Sequence, residues 1–108
     1  MNKILTQKDQ NLVCPVSKAM NLVKGRWVFP IVHTLMSGTK RFKELERSVE
    51  GINTRMLVKE LKNLEATGVV NRRSYATVPP TVEYTLTEKG LAIEPILNEI
   101  ERWAVKHF

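Results

Sequence analysis

The chain has 108 residues, a net charge of +6, 43% hydrophobic side chains and one cysteine, Cys14. That length predicts one domain over 1–108, with a core that buries roughly two thirds of the unfolded chain's surface. A lone cysteine excludes an intrachain disulfide framework. No apolar run follows basic residues at the N-terminus, and no stretch approaches the ~20 apolar residues of a membrane span. The chain therefore reads as cytoplasmic, with no membrane partner.

Residues 1–13 are polar and read as a flexible N-terminal arm. Pro15 marks the start of a first helix over 16–24, with Ser17 as its cap and Val16, Ala19, Met20 and Val23 at helical spacing. Gly25 ends it. Residues 27–36 read as a second, mostly apolar helix, in which Pro30 is tolerated only within the first turn. A short third helix over 42–49 places Phe42, Leu45 and Val49 on one face. After a turn at Glu50-Gly51, Asn53 stands where a fourth helix needs its N-cap. That helix spans 54–67, and Gly68 supplies the left-handed residue at its end. Val69–Tyr75 and Val82–Leu86 read as strands, since Val-Glu-Tyr-Thr-Leu alternates with period two. Pro79 and Pro80 keep the loop between them out of a ladder. Thr87 caps a fifth helix running to about residue 106. Its apolar stripe is Ile93, Ile96, Leu97, Ile100, Trp103 and Ala104. Pro95, near its beginning, either kinks it or delays its start. The expected fold is mainly α with a small β-hairpin: a winged helix-turn-helix with a two-stranded wing and a long C-terminal helix.

The charge is unevenly spread. Residues 1–26 carry five basic and one acidic side chains, residues 54–80 five and two, and residues 81–108 three and five. A basic domain favours a polyanionic partner, and the acidic last segment is not expected to face it. The fourth helix is the more specific signal. At 100° per residue, Leu57, Leu61 and Leu64 fall within about 60° of one another, and Arg55, Lys59 and Lys62 cluster on the opposite side. Leucines can hold such a helix while its cationic side enters a major groove. The planar fork of Arg55 suits guanine O6 and N7. Asn53 and Thr54 can donate to phosphate or reach a base edge, and the first-turn N–H groups favour a phosphate. Lys59 and Lys62 suit phosphates as point charges. Lys40, Arg41 and Lys43 flank the third helix, and Arg72 and Arg73 lie at the base of the wing. The wing tip, residues 74–81, has no Lys or Arg.

Several blocks carry a family resemblance: Cys14-Pro15, Gly25-Arg26-Trp27, Arg41-Phe42-Lys43-Glu44-Leu45, Gly51 to Leu57, Lys59 to Glu65 and Gly68-Val69-Val70. The most specific is Val78-Pro79-Pro80-Thr81-Val82-Glu83-Tyr84-Thr85-Leu86-Thr87 with Gly90. From Cys14 to about Trp103 the chain resembles the HxlR family of winged-helix transcriptional regulators. The resemblance implies a homodimer with the terminal helices packed between subunits, a double-stranded DNA partner with an inverted-repeat operator, and the fourth helix as recognition helix. Asn53 departs from the serine of many relatives. Some relatives with a cysteine in the place of Cys14 sense quinones, other electrophiles or oxidants. A helix N-terminus and the nearby Lys18 would both raise thiolate content at Cys14.

Other readings compete. His33 and His107 show no ligand spacing with Cys14, so no metal and no cofactor is expected. Trp27, Phe29 and Phe42 read as core. No Cys-His pair, glycine-rich phosphate loop or carboxylate constellation supports an enzyme. The alternative to a DNA-binding regulator is a winged-helix module that binds protein without DNA, against which the stripe of Arg55, Lys59 and Lys62 argues.

Overall fold

The structure, a computed structural model, describes residues 14–108. The arm expected at 1–13 lies outside the described residues.

Helix α1 spans Pro15–Val23 and is entered through its proline, whose fixed φ suits the first helical position. Cys14, not Ser17, holds the N-cap position, and its carbonyl accepts from the Lys18 N–H at 3.0 Å. The expected Ser17 cap is thus corrected: a residue following a first-position proline already lies inside the first turn. None of the α1 residues is fully buried. Helix α2, Val28–Leu35, buries Val28, Ile31, Val32 and Leu35. Pro30 falls in its first turn, where a missing N–H leaves no bond unmade.

Strand β1, Lys40–Arg41, was not expected. It pairs antiparallel with β3, Thr81–Leu86, through Lys40–Tyr84 and Arg41–Glu83. The sheet is therefore three-stranded, with β3 between β1 and a strand β2 over Val70–Tyr75, rather than a two-stranded wing alone. Strand β2 completes the hairpin, with Arg72 opposite Tyr84 and Arg73 opposite Glu83.

Helix α3, Phe42–Ser48, opens with the Arg41 N–H donating to the Glu44 carboxylate at 2.8 Å. A turn through Gly51, at φ 87°, leads to α4, Thr54–Ala66. The Asn53 side chain caps α4 by accepting from the Met56 N–H at 2.8 Å, a bond of a kind worth ~1 kcal/mol. Gly68, at φ 81°, ends the helix as expected. Helix α5 spans Glu88–His107, its Thr87 hydroxyl accepting from the Gly90 N–H at 3.1 Å. Pro95 lies inside α5 and delays nothing. Its ring is exposed, so the Leu91 carbonyl that loses a helical partner can turn to water.

One core joins these parts. Ile31, Val32, Leu45, Leu57, Leu61, Leu64, Val69 and Val70 are its most enclosed side chains, with Trp27, Tyr84 and Leu97 at its margins. Phe29 and Phe42 pack against it half-buried.

Candidate nucleic-acid interface

Helix α4 hangs from the core by one face. Leu57, Leu61 and Leu64 are each no more than 2% exposed, and Arg55, Lys59 and Lys62 are all exposed on the other side. None of the three cations makes an ion pair among the described residues, so their charges are available to an outside polyanion. The two lysines lean in different directions. Lys59 borders a groove against α1, with Asn21, Lys24 and Gly25. Lys62 borders a groove of about 410 Å³ against the sheet, with Phe42, Arg72 and Tyr84. Arg55, the second residue of α4, borders neither groove.

The capping residues are already engaged within the protein. Asn53 Oδ1 holds the Met56 N–H, leaving its amide group outward. The Thr54 hydroxyl donates to the Glu46 carboxylate of α3. The Thr54 proton that the sequence offers to a phosphate is therefore directed at a protein acceptor instead.

Strand alternation separates the two arginines below the wing. Arg72 shares the Tyr84 side of the sheet and faces α4 alongside Lys62. Arg73 points to the other side, its guanidinium 5.4 Å from the Tyr75 ring centroid, with Glu83 as its cross-strand neighbour. Arg41 lies opposite the same Glu83 from β1, so a carboxylate stands between these two cations. Lys40, paired with Tyr84, takes the Arg72 side and is half-buried.

A third groove, of about 760 Å³, runs between α3 and the wing loop. Arg41, Lys43 and Arg47 line it, facing Pro79 and Pro80. The sequence reading named the first two and missed Arg47. The signal was present, since Arg47 follows Lys43 at i+4 and so falls on one helical face with it. Val78 is fully exposed at the wing tip.

Cys14 is half-buried at the start of α1. The backbone N–H groups of Ser17, chiefly, and Val16 lower its thiol pKa; slight burial opposes them, and the Ser17 hydroxyl adds to the lowering. Cys14 immediately precedes α1 as its N-cap.

Residues 22–108 match the HxlR-like helix-turn-helix family along their whole length. The chain belongs to that family. HxlR-type relatives include the HTH-type transcriptional regulator YodB of Bacillus subtilis, 41% identical over 95 residues, covering 87% of this chain and 85% of YodB. The regulator YvaP of the same organism is 41% identical over 99 residues, covering 91% of this chain and 92% of YvaP. Among solved structures, the redox regulator HypR in its oxidised form superposes with a TM-score of 0.79 at 39% identity, over 88% of this chain and 98% of HypR. Reduced YodB gives 0.78 at 40% identity, over 88% of this chain and 94% of YodB. The winged helix-turn-helix expected from the sequence is thus the observed fold, with β1 added to it.

Proposed function

We propose that this HxlR-type protein is a homodimeric, sequence-specific DNA-binding transcriptional regulator, folded as a single domain, that inserts α4 into the major groove. The observation that carries the proposal is the two-sided construction of α4: leucines inward, and Arg55, Lys59 and Lys62 outward without ion-pair partners among the described residues. Arg55 reads base edges, together with Asn53 and Thr54. Lys59, Lys62 and Arg72 hold phosphates along α4, and Lys40, Arg41 and Lys43 hold them beside α3. Arg73 has the weakest claim, because it points to the side of the sheet away from α4 and lies over the Tyr75 ring. Such a protein works in the cytoplasm, beside its DNA.

Two apolar surfaces support the dimer. Val16 and Met20 on α1 are 68% and 56% exposed, and Ile96, Ile100 and Trp103 on α5 are 58%, 49% and 57% exposed. They meet around an open apolar hollow of about 430 Å³ formed by Met20, Val23, Phe29, Leu97 and Ile100. Lys24 and Glu101 stand at its rim with opposite charge. A second copy of the same surface covers this face and buries its hydrophobic side chains. Selection of binders from a random duplex pool is expected to return an inverted repeat. Its half-site centres should lie about 34 Å apart or a small multiple of that. Enrichment of no sequence, with the protein folded, contradicts the reading.

The signal we assign to Cys14 is a small electrophile or oxidant. The support is its lowered thiol pKa at a helix N-terminus and the similarity to HypR, described as a redox regulator. With no second cysteine in the chain, any disulfide joins two subunits or a small thiol. A lowered pKa means that the thiolate persists to lower pH than in a free cysteine. Alkylation by iodoacetamide should therefore rise with pH through a midpoint below that of glutathione. A midpoint at or above it, or equal loss of DNA binding after diamide in wild type and Cys14→Ser, removes Cys14 from the mechanism.

A further inference from the structure

Glu46 is an acidic, half-buried side chain on a face otherwise built to attract phosphates. It lies on α3, between Lys43 and Arg47 in sequence, and has no cationic partner within ion-pairing distance among the described residues. Its carboxylate reaches across the helix-turn-helix junction to accept from Thr54 Oγ1, at the first position of α4. Asn53, the residue before, fixes the same turn of backbone through its cap on Met56. The bond runs from the Thr54 hydroxyl to the Glu46 carboxylate, so Thr54 donates and Glu46 accepts.

We propose that Glu46 is a specificity-determining residue that acts through Thr54. Its first effect is on hydrogen bonding. With its only proton directed to Glu46, the Thr54 hydroxyl presents lone pairs to whatever enters from outside. It accepts, and therefore selects a donor. In the major groove the exposed donors are the amino groups of adenine N6 and cytosine N4, whereas phosphates, guanine O6 and N7 and thymine O4 are acceptors only. Its second effect is electrostatic. A negative charge beside the N-terminus of α4 repels a phosphate from the place where the first-turn N–H groups would otherwise draw one. Binding without a sequence match is weakened, and the helix end is left to base edges. Both effects widen the gap between specific and non-specific duplexes, and specificity is that difference.

This inference rests on the DNA-binding reading above, and one experiment separates the two. Wild type, Glu46→Gln and Glu46→Ala are each used to select duplexes from a random pool. Each is then titrated with its selected duplex and with a scrambled one. Glutamine keeps an oxygen that can accept from Thr54 but removes the charge. It is expected to bind scrambled duplex roughly threefold more tightly and to keep the base preference. Alanine releases Thr54 as well. It is expected to give the same gain on scrambled duplex and to lose, at one position of each half-site, the preference for a base that presents an amino group. Circular dichroism melts confirm that the variants are folded, and if Glu46→Ala melts early, Thr54→Val supplies the second arm, with the same loss of base preference expected. Unchanged base preference and an unchanged ratio of specific to scrambled affinity in the folded variants overturn the inference. Failure of wild type itself to bind any duplex overturns the DNA reading instead.

Discussion

Gly90→Ala is expected to destabilise the protein by ~3 kcal/mol and to lower its Tm by about 15 °C. Gly90 is buried in the first turn of α5, and a Cβ built there would stand 2.2 Å from the Val69 carbonyl oxygen and 3.1 Å from Leu86 Cδ2. The oxygen cannot simply move aside. It accepts from the Thr87 N–H at 3.0 Å, and Val69 itself is fully buried. Thr87 also donates its hydroxyl to the Gly68 carbonyl, and Lys89 Nζ reaches the Thr67 carbonyl at 2.6 Å. The start of α5 is thus bolted to the place where α4 ends and β2 begins. Helix propensity alone favours alanine over glycine inside a helix by roughly 0.5–1 kcal/mol, so the two effects have opposite signs. A variant that melts at or above the wild-type temperature shows that propensity wins and that this contact is loose. A variant that melts well below it shows that the end of α4 and the start of α5 are one rigid joint.

Arg55→Ala is expected to weaken binding to the selected duplex by ~1–3 kcal/mol, roughly five- to 150-fold, with little change on a scrambled duplex. Arg55 is exposed, lies on the second residue of α4 opposite the leucine stripe, and has no ion pair among the described residues. Nothing inside the protein depends on it, so a loss of affinity cannot be attributed to misfolding. Lys62→Ala is its counterpart. It should weaken both duplexes by the same factor and flatten the salt dependence by about two units of log–log slope, one for each subunit's lysine. Arg55→Ala behaving as Lys62→Ala does would place Arg55 on a phosphate and move base reading elsewhere on the helix.

Much of this arrangement is written in local sequence. The leucine stripe of α4, the Asn53 cap and the Gly68 stop are properties of one helix and its ends, and each is found where the periodicity and the capping residues put it. The hairpin follows from the alternation of Val82, Tyr84 and Leu86, together with prolines that cannot join a ladder. Strand β1 escaped because two residues have no period, and what makes Lys40 and Arg41 a strand is β3, some forty residues away. The split of Arg72 and Arg73 was legible, since adjacent strand residues face opposite ways; grouping them by charge hid it. The Glu46–Thr54 contact was not legible. It depends on the angle at which the 49–53 turn sets α3 against α4, which neither helix specifies alone. Helix α5 shows a local rule overridden: Pro95 lies inside a continuous helix, its exposed ring on the solvent side.

On the reading proposed above, exposed lysines on α4, with the cations beside α3 and below the wing, bind the backbone of double-stranded DNA. The salt dependence of duplex affinity tests this most directly. Fluorescence anisotropy of a labelled duplex, titrated with protein between 50 and 300 mM salt, reports a slope of about −0.9 for each phosphate neutralised. For a dimer using Lys59, Lys62, Arg72 and their neighbours in each subunit, the predicted log–log slope is steeper than about −4. Binding that is absent, or that varies little with salt, would contradict the account and favour a protein partner for this face.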